Sequence, residues 1–159
     1  MMLRVEKLRK KMQEENLDSF LVTSPYNLRY LTNFTGTTGL AVITLEKAFF
    51  ITDFRYTEQA AAQAQGFEII KNVGPIFDEV ANLVRKEELH SLAFEETTVS
   101  FLEYSVLEEI IDAELVPVSQ MIEELREVKD EEEIAIIEKA CNIADMAYDH
   151  ILKMIQPGM

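Results

Sequence analysis

The stretch TSPYNLRYLTNFTGTTGLAVITLEKAFFIT, residues 23–52, decides the fold. Two five-residue apolar runs, 40–44 and 48–52, flank Leu45-Glu46-Lys47, the spacing of a β-hairpin. Ahead of them, Ser24-Pro25 stops the β-type run DSFLVTS (18–24). Pro25 can then open a helix, and Leu28 and Leu31, one turn apart, make it a short one. The polar TGTTG segment (35–39) reads as a flexible loop between helix and hairpin.

Outward from this stretch, helices and strands alternate. Upstream, Val5, Leu8 and Met12 have helical spacing among charges, giving an amphipathic helix that ends near Asn16. Downstream, DFRYTEQAAAQAQG (53–66) reads as a helix with Asp53 as its N-cap and Gly66 as its end. FEII (67–70) is a strand. PIFDEVANLVRKE (75–87) is a helix with Ile76, Val80, Leu83 and Val84 facing inward. SLAFE (91–95) and AELVPVS (113–119) are strands, each followed by a helix, at 100–112 and 119–128. One hairpin among alternating elements implies an α/β fold: a mixed β-sheet with helices on both faces. This domain is expected to end near Lys129.

Residues 130–155 read as one long helix, the second feature of the fold. Asp130 is a good cap and Glu131, Glu132 and Glu133 suit a first turn. Ile134, Ile137, Cys141, Ala144, Tyr148, Ile151 and Ile155 recur at alternating spacings of three and four, and Ile136, Ala140, Ile143, Ala147 and Met154 form a second stripe. Such a helix is about 39 Å long. Leaving its six isoleucines in water forgoes about 10 kcal/mol. The expectation is therefore that residues beyond 159 cover it, with a second copy of the chain as the alternative; the heptad-like spacing leaves a coiled-coil seam open.

Composition narrows the function. The chain has 159 residues, enough for one domain with its own core. Net charge is −14, and residues 106–159 hold 14 acidic against 4 basic side chains. That surface repels phosphate backbones, which argues against nucleic acid. No apolar run is long enough to span a bilayer, and the basic start is followed by MQEENLDS rather than an apolar core, so neither a membrane span nor a secretory leader is expected. The one cysteine, Cys141, cannot form an internal disulfide, and a cytoplasmic location is the simplest reading.

Four segments in order carry a resemblance: TSPYNLRYLTNFTGTTGLAVIT, ITDFRYTEQA, LAFEETTVSF and LREVKDEEEIAIIEKA. Together they resemble the N-terminal domain of bacterial Xaa-Pro aminopeptidases and Xaa-Pro dipeptidases (prolidases), in the creatinase-like, pita-bread family. The resemblance spans the chain and implies a ribonuclease H-like fold for 1–129, with 130–159 as the first helix of a catalytic domain otherwise absent. That domain would hold two divalent metals, usually manganese, through two aspartates, a histidine and two glutamates, all further along than residue 159. This chain would then supply no catalytic residue and no metal ligand. It would contribute homodimer contacts and restrict short Xaa-Pro peptides entering the partner's active site. Asn33, Phe34, Thr35, Arg55 and Tyr56 are the access candidates. An arginine at 55 could pair bidentately with a peptide carboxylate, or simply form a structural salt bridge. The alternative is a peptidase-derived, non-catalytic peptide- or protein-binding module. Two departures from the pattern stand out. Asn33 and Phe54 occupy positions where the family commonly has glycine, and Phe54 would be strained if that glycine takes a positive φ.

Other reactive side chains read as structural. Asp145, Asp149 and His150 are too few and too divergent for a metal site. Cys141 reads as a small core residue. Gly36-Thr37-Thr38-Gly39 lacks the ending of a phosphate loop. Glu95 and Glu96 are expected at the surface.

Overall fold

A computed structural model describes residues 2–159. Six strands form one sheet: β1 (Ser19–Val22), β2 (Leu40–Thr44), β3 (Ala48–Thr52), β4 (Glu68–Lys71), β5 (Ser91–Glu95) and β6 (Glu114–Val118), in the order β4-β3-β2-β1-β5-β6. β2 is antiparallel to both β1 and β3, and the remaining neighbours are parallel, so the sheet is mixed. The β2–β3 hairpin turns through Leu45-Glu46-Lys47, with Leu40 opposite Ile51 and Ile43 opposite Ala48.

Strand alternation distributes the core to two faces. Phe20, Val22, Ala41, Ile43, Phe50 and Ala93 join one buried cluster. It also takes residues of α1 (Met2–Glu14), α2 (Pro25–Thr32), α3 (Thr57–Gln63) and α6 (Met121–Glu127). Leu21, Leu40, Val42, Phe49, Ile51, Leu92 and Phe94 join a second cluster with α4 (Ile76–Lys86) and α5 (Phe101–Ile110). Both faces of the sheet are therefore covered. Val5, Leu8 and Met12 of α1, and Val80, Leu83 and Val84 of α4, are buried as their spacing requires, while Ile76 is partly so.

The outer strands differ from the middle ones. β4 has four residues and exposed charges at both ends, Glu68 and Lys71. In β6, Glu114 donates its amide to His90 O and Val118 O accepts from Glu96 N. Even-numbered β6 residues thus bond β5, and Pro117 turns its backbone nitrogen to the outer margin.

Two compact units divide the chain, Met1–Leu125 and Arg126–Met159. The second contains α7 (Glu131–Met154), 24 residues long. Its start is closed by a capping box: Asp130 Oδ1 accepts from Glu133 N at 2.9 Å, and Glu133 Oε2 from Asp130 N at 3.0 Å. No residue of α7 is buried, and Ile136 and Ile143 are 69% and 60% exposed. Removing residues 130–159 therefore removes no buried side chain. A chain of residues 1–129 is expected to melt within about 2 °C of the full chain while losing helical circular dichroism. A larger drop in Tm would mean that the first unit depends on α7.

Candidate functional site

Strands β1, β3 and β5 run in one direction, so their carboxyl ends lie at one end of the sheet. There β1 passes into α2, β3 into the Asp53–Tyr56 turn, and β5 ends in Glu95. The 33–39 loop reaches the same end because it feeds β2, which runs the opposite way. This topology brings together all five access candidates.

Asn33 caps α2 in the left-handed region (φ 59°, ψ 9°), and its amide donates to Arg29 O. Asparagine tolerates this conformation where glycine is the usual choice. Phe34 then turns inward and is 2% exposed. Its ring lies 4.7 Å from Phe50 and 5.7 Å, edge-on, from Tyr56. A Cβ on Gly36 would come within 2.9 Å of the Tyr56 ring and closer still to Phe34, so this close approach requires glycine. Thr35 is exposed and bonded to α3: its amide donates to Gln63 Oε1 at 2.9 Å, and Gln59 Nε2 donates to its hydroxyl at 3.0 Å. The Thr37 and Tyr56 hydroxyls are 2.9 Å apart. The loop is thus pinned by one buried ring and a rim of exposed polar contacts.

Asp53 does not cap α3. Residue 56 occupies the cap position and makes no side-chain cap bond. Asp53 instead closes its own turn, accepting from Arg55 N at 2.9 Å and from the Arg55 guanidinium through Nε (3.1 Å) and Nη2 (2.7 Å). The backbone amide and the guanidinium together outcompete the N–H groups of a helix that starts four residues later. The guanidinium also lies 5.5 Å from the Tyr56 ring centre. Phe54, between them, takes no positive φ, so the strain that a glycine-requiring position would impose does not arise; its ring is 72% exposed.

The Arg55 hydrogen bond holds the Asp53 carboxyl below its ordinary value of 3.8. The order this pair gives the turn is therefore present above that value. It is lost only as pH falls through the lowered one. An NMR titration should give an Asp53 midpoint below 3.8, moving upward in Arg55→Ala, which removes the guanidinium and keeps the backbone amide bond. An unchanged midpoint in that variant would overturn the assignment.

Glu95, expected at the surface, is 4% exposed. Its Oε2 accepts from the Thr23 and Ser24 amides at 2.6 and 2.7 Å, and its Oε1 from Asn27 Nδ2 at 2.5 Å. The other hydrogen of that amide goes to Glu123 Oε1 at 2.6 Å. Every contact to Glu95 is a donor, which suits an acceptor-only carboxylate at the start of α2. A glutamate after Leu-Ala-Phe looks like a strand leaving the core. The reason it stays inside is the neighbouring β1–α2 junction, whose amides have no partner within their own helix. Glu96 is exposed, as expected.

Elsewhere the chain offers little chemistry. Among the described residues no three His, Cys, Asp or Glu side chains could hold a metal ion. Cys141 is exposed rather than in a core, because the α7 stripe that carries it has no cover among the described residues. At the amino ends of β1 and β5 a cavity of about 290 Å³ contains the Lys47–Glu87 pair (2.7 Å) and His90 3.5 Å from Asp18, and no access candidate lines it. No helix of the described residues is long and apolar enough to cross a membrane.

Comparison with known proteins matches this arrangement. The family described as the Creatinase/Prolidase N-terminal domain matches residues 4–128. An uncharacterized peptidase, YqhT, of Bacillus subtilis is 46% identical over 158 residues, covering 99% of this chain and 45% of its own. A solved Xaa-Pro dipeptidase from Bacillus anthracis is 45% identical with a TM-score of 0.96, covering 99% of this chain and 44% of its own. The solved N-terminal domain of the cytoplasmic peptidase PepQ from Mycobacterium tuberculosis is 29% identical with a TM-score of 0.72; 77% of this chain covers 98% of it. This chain thus spans less than half of the longer relatives and nearly all of a solved domain. With its sheet order, its hairpin and its 33–39 loop accounted for by residues 4–128, the chain belongs to the creatinase/prolidase N-terminal domain family.

Proposed function

We propose that this chain is the non-catalytic N-terminal part of a metal-dependent, cytoplasmic Xaa-Pro aminopeptidase or dipeptidase, acting as a homodimer. In this reading 1–129 is the access-restricting domain and 130–159 opens the catalytic one. The observation that carries it is the bare apolar face of α7 in a chain that matches 99% of its own length to 44% of an Xaa-Pro dipeptidase. A helix with two apolar stripes belongs against a globular core, and a catalytic domain following residue 159 supplies one.

Among the described residues no side-chain cluster fits the two divalent metals that the resemblance implies, and on this reading the chemical step belongs to the catalytic domain. Its own residues shape the approach. Phe34 anchors the loop, Asn33 and Thr35 lie exposed on either side of it, and Tyr56 and Arg55 edge the neighbouring turn. Such a rim at a partner subunit's active site admits short Xaa-Pro peptides and obstructs long chains. Arg55 is already held bidentately by Asp53, so a peptide carboxylate would have to compete with that pair.

The test is to express the polypeptide extended by its downstream coding sequence. The extended protein should hydrolyse Xaa-Pro dipeptides with manganese, and residues 1–159 alone should not. In the extended protein, Arg55→Ala should change KM for tripeptides more than for dipeptides. An extension without the five metal ligands, or with them and inactive, would favour the peptide- or protein-binding module instead.

A further inference from the structure

We infer that the buried Glu95–Asn27 pair is a positioning device for the 33–39 loop, and that it ties this loop to α6 through Glu123. The role of that loop rests on the reading above; its positioning does not, since it is a property of this chain measured without any peptide.

Helix α2 has eight residues, so it spans about 12 Å. Its side chains at 28, 30, 31 and 32 are buried, which makes it a short strut rather than a surface helix. The strut is fixed at its first turn by Glu95, through the Thr23 and Ser24 amides and the Asn27 side chain. Its far end is Asn33, from which the loop departs. The next two amides are held there: Phe34 N donates to Thr32 Oγ1 at 3.1 Å and Thr35 N to Gln63 at 2.9 Å. The Thr32 hydroxyl in turn donates to Leu28 O at 2.6 Å, within the strut. A shift at the first turn is therefore delivered to residues 33–35, because a packed helix moves as a body.

Asn27 connects this strut to a second element. Its two amide hydrogens go to carboxylates on different elements, Glu95 at the end of β5 and Glu123 on α6. Close by, Tyr30 donates from its hydroxyl to Leu125 O at 3.1 Å, so α6 meets the strut at two successive turns. Lys11 of α1 pairs with Glu124 beside them. One buried amide thus joins the loop-bearing helix to the segment just ahead of residue 126.

Hydrogen exchange followed by NMR tests this in residues 1–159. The reporters are the amides of Asn33, Phe34 and Thr35, compared with those of Phe49–Ile51 in β3. Glu95→Gln should speed exchange at 33–35 by about ten-fold relative to β3. Glu123→Gln should speed it by about three-fold. Val84→Ala, in the cluster that also holds the reference residues Phe49 and Ile51, controls for general destabilisation and should not raise this ratio. Should Glu95→Gln not fold, Glu123→Gln, at a part-buried contact, decides alone. Ratios unchanged in both variants, or matched by Val84→Ala, would overturn the inference. A change in Glu95→Gln without one in Glu123→Gln would sink the link to α6.

Discussion

Replacing Phe34 with alanine is expected to cost about 3–5 kcal/mol of stability, and on the order of 10 °C in Tm. The ring is almost fully buried and contacts two other aromatic rings. Truncation removes its transfer free energy and leaves a cavity that Phe50 and Tyr56 cannot both fill, because each is fixed by other contacts. Tyr56 would lose an edge contact on the side where Gly36 passes. Phe34→Leu should cost much less, about 1–2 kcal/mol, since most of the volume remains. Thermal and urea unfolding of both variants measure this. If Phe34→Ala melts within about 2 °C of the parent, the ring is not a loop anchor and the rim described above has no fixed base.

Glu95→Ala should be comparably costly, about 2–5 kcal/mol, for an unrelated reason. Little apolar area is at stake. What is lost is the acceptor for two backbone amides and one side-chain amide, and at least the Ser24 donor is buried. Each buried donor left without a partner costs about 1–3 kcal/mol. Glu95→Leu separates the two effects. It restores volume and no acceptor, so it should be as unstable as the alanine variant. Glu95→Gln should fall between. Its carbonyl can serve the two backbone amides, but its NH2 then faces the Asn27 NH2, donor against donor. A leucine variant as stable as the parent would show that packing, not acceptor supply, holds this junction.

These two residues also mark where the sequence was legible. Phe34 was legible only in part: the family pattern places it among the access candidates, while its burial against Phe50 shows only in the fold. The β2–β3 hairpin followed from three intervening residues. The fold class came from periodicity, which reports faces; Val80, Leu83 and Val84 turned inward because their spacing left no other common face. Glu95 was not readable. Its burial depends on amides 72 and 71 positions away, and the local sequence carries no trace of them. Asp53 misled for a related reason. A cap and a turn-closing aspartate look alike until the arginine two residues on is seen to claim the carboxylate. Cys141 sits on a stripe whose spacing reads as core, yet no residue of α7 is buried among the described residues.

Pro117 has a consequence for assembly. A strand added beside β6 would look for an N–H at the middle of that margin and find a pyrrolidine ring. On the far side, a newcomer beside β4 would gain only four residues of pairing and would meet Glu68 and Lys71 at its ends. Both flanks of the sheet therefore disfavour edge-to-edge pairing between copies of this chain.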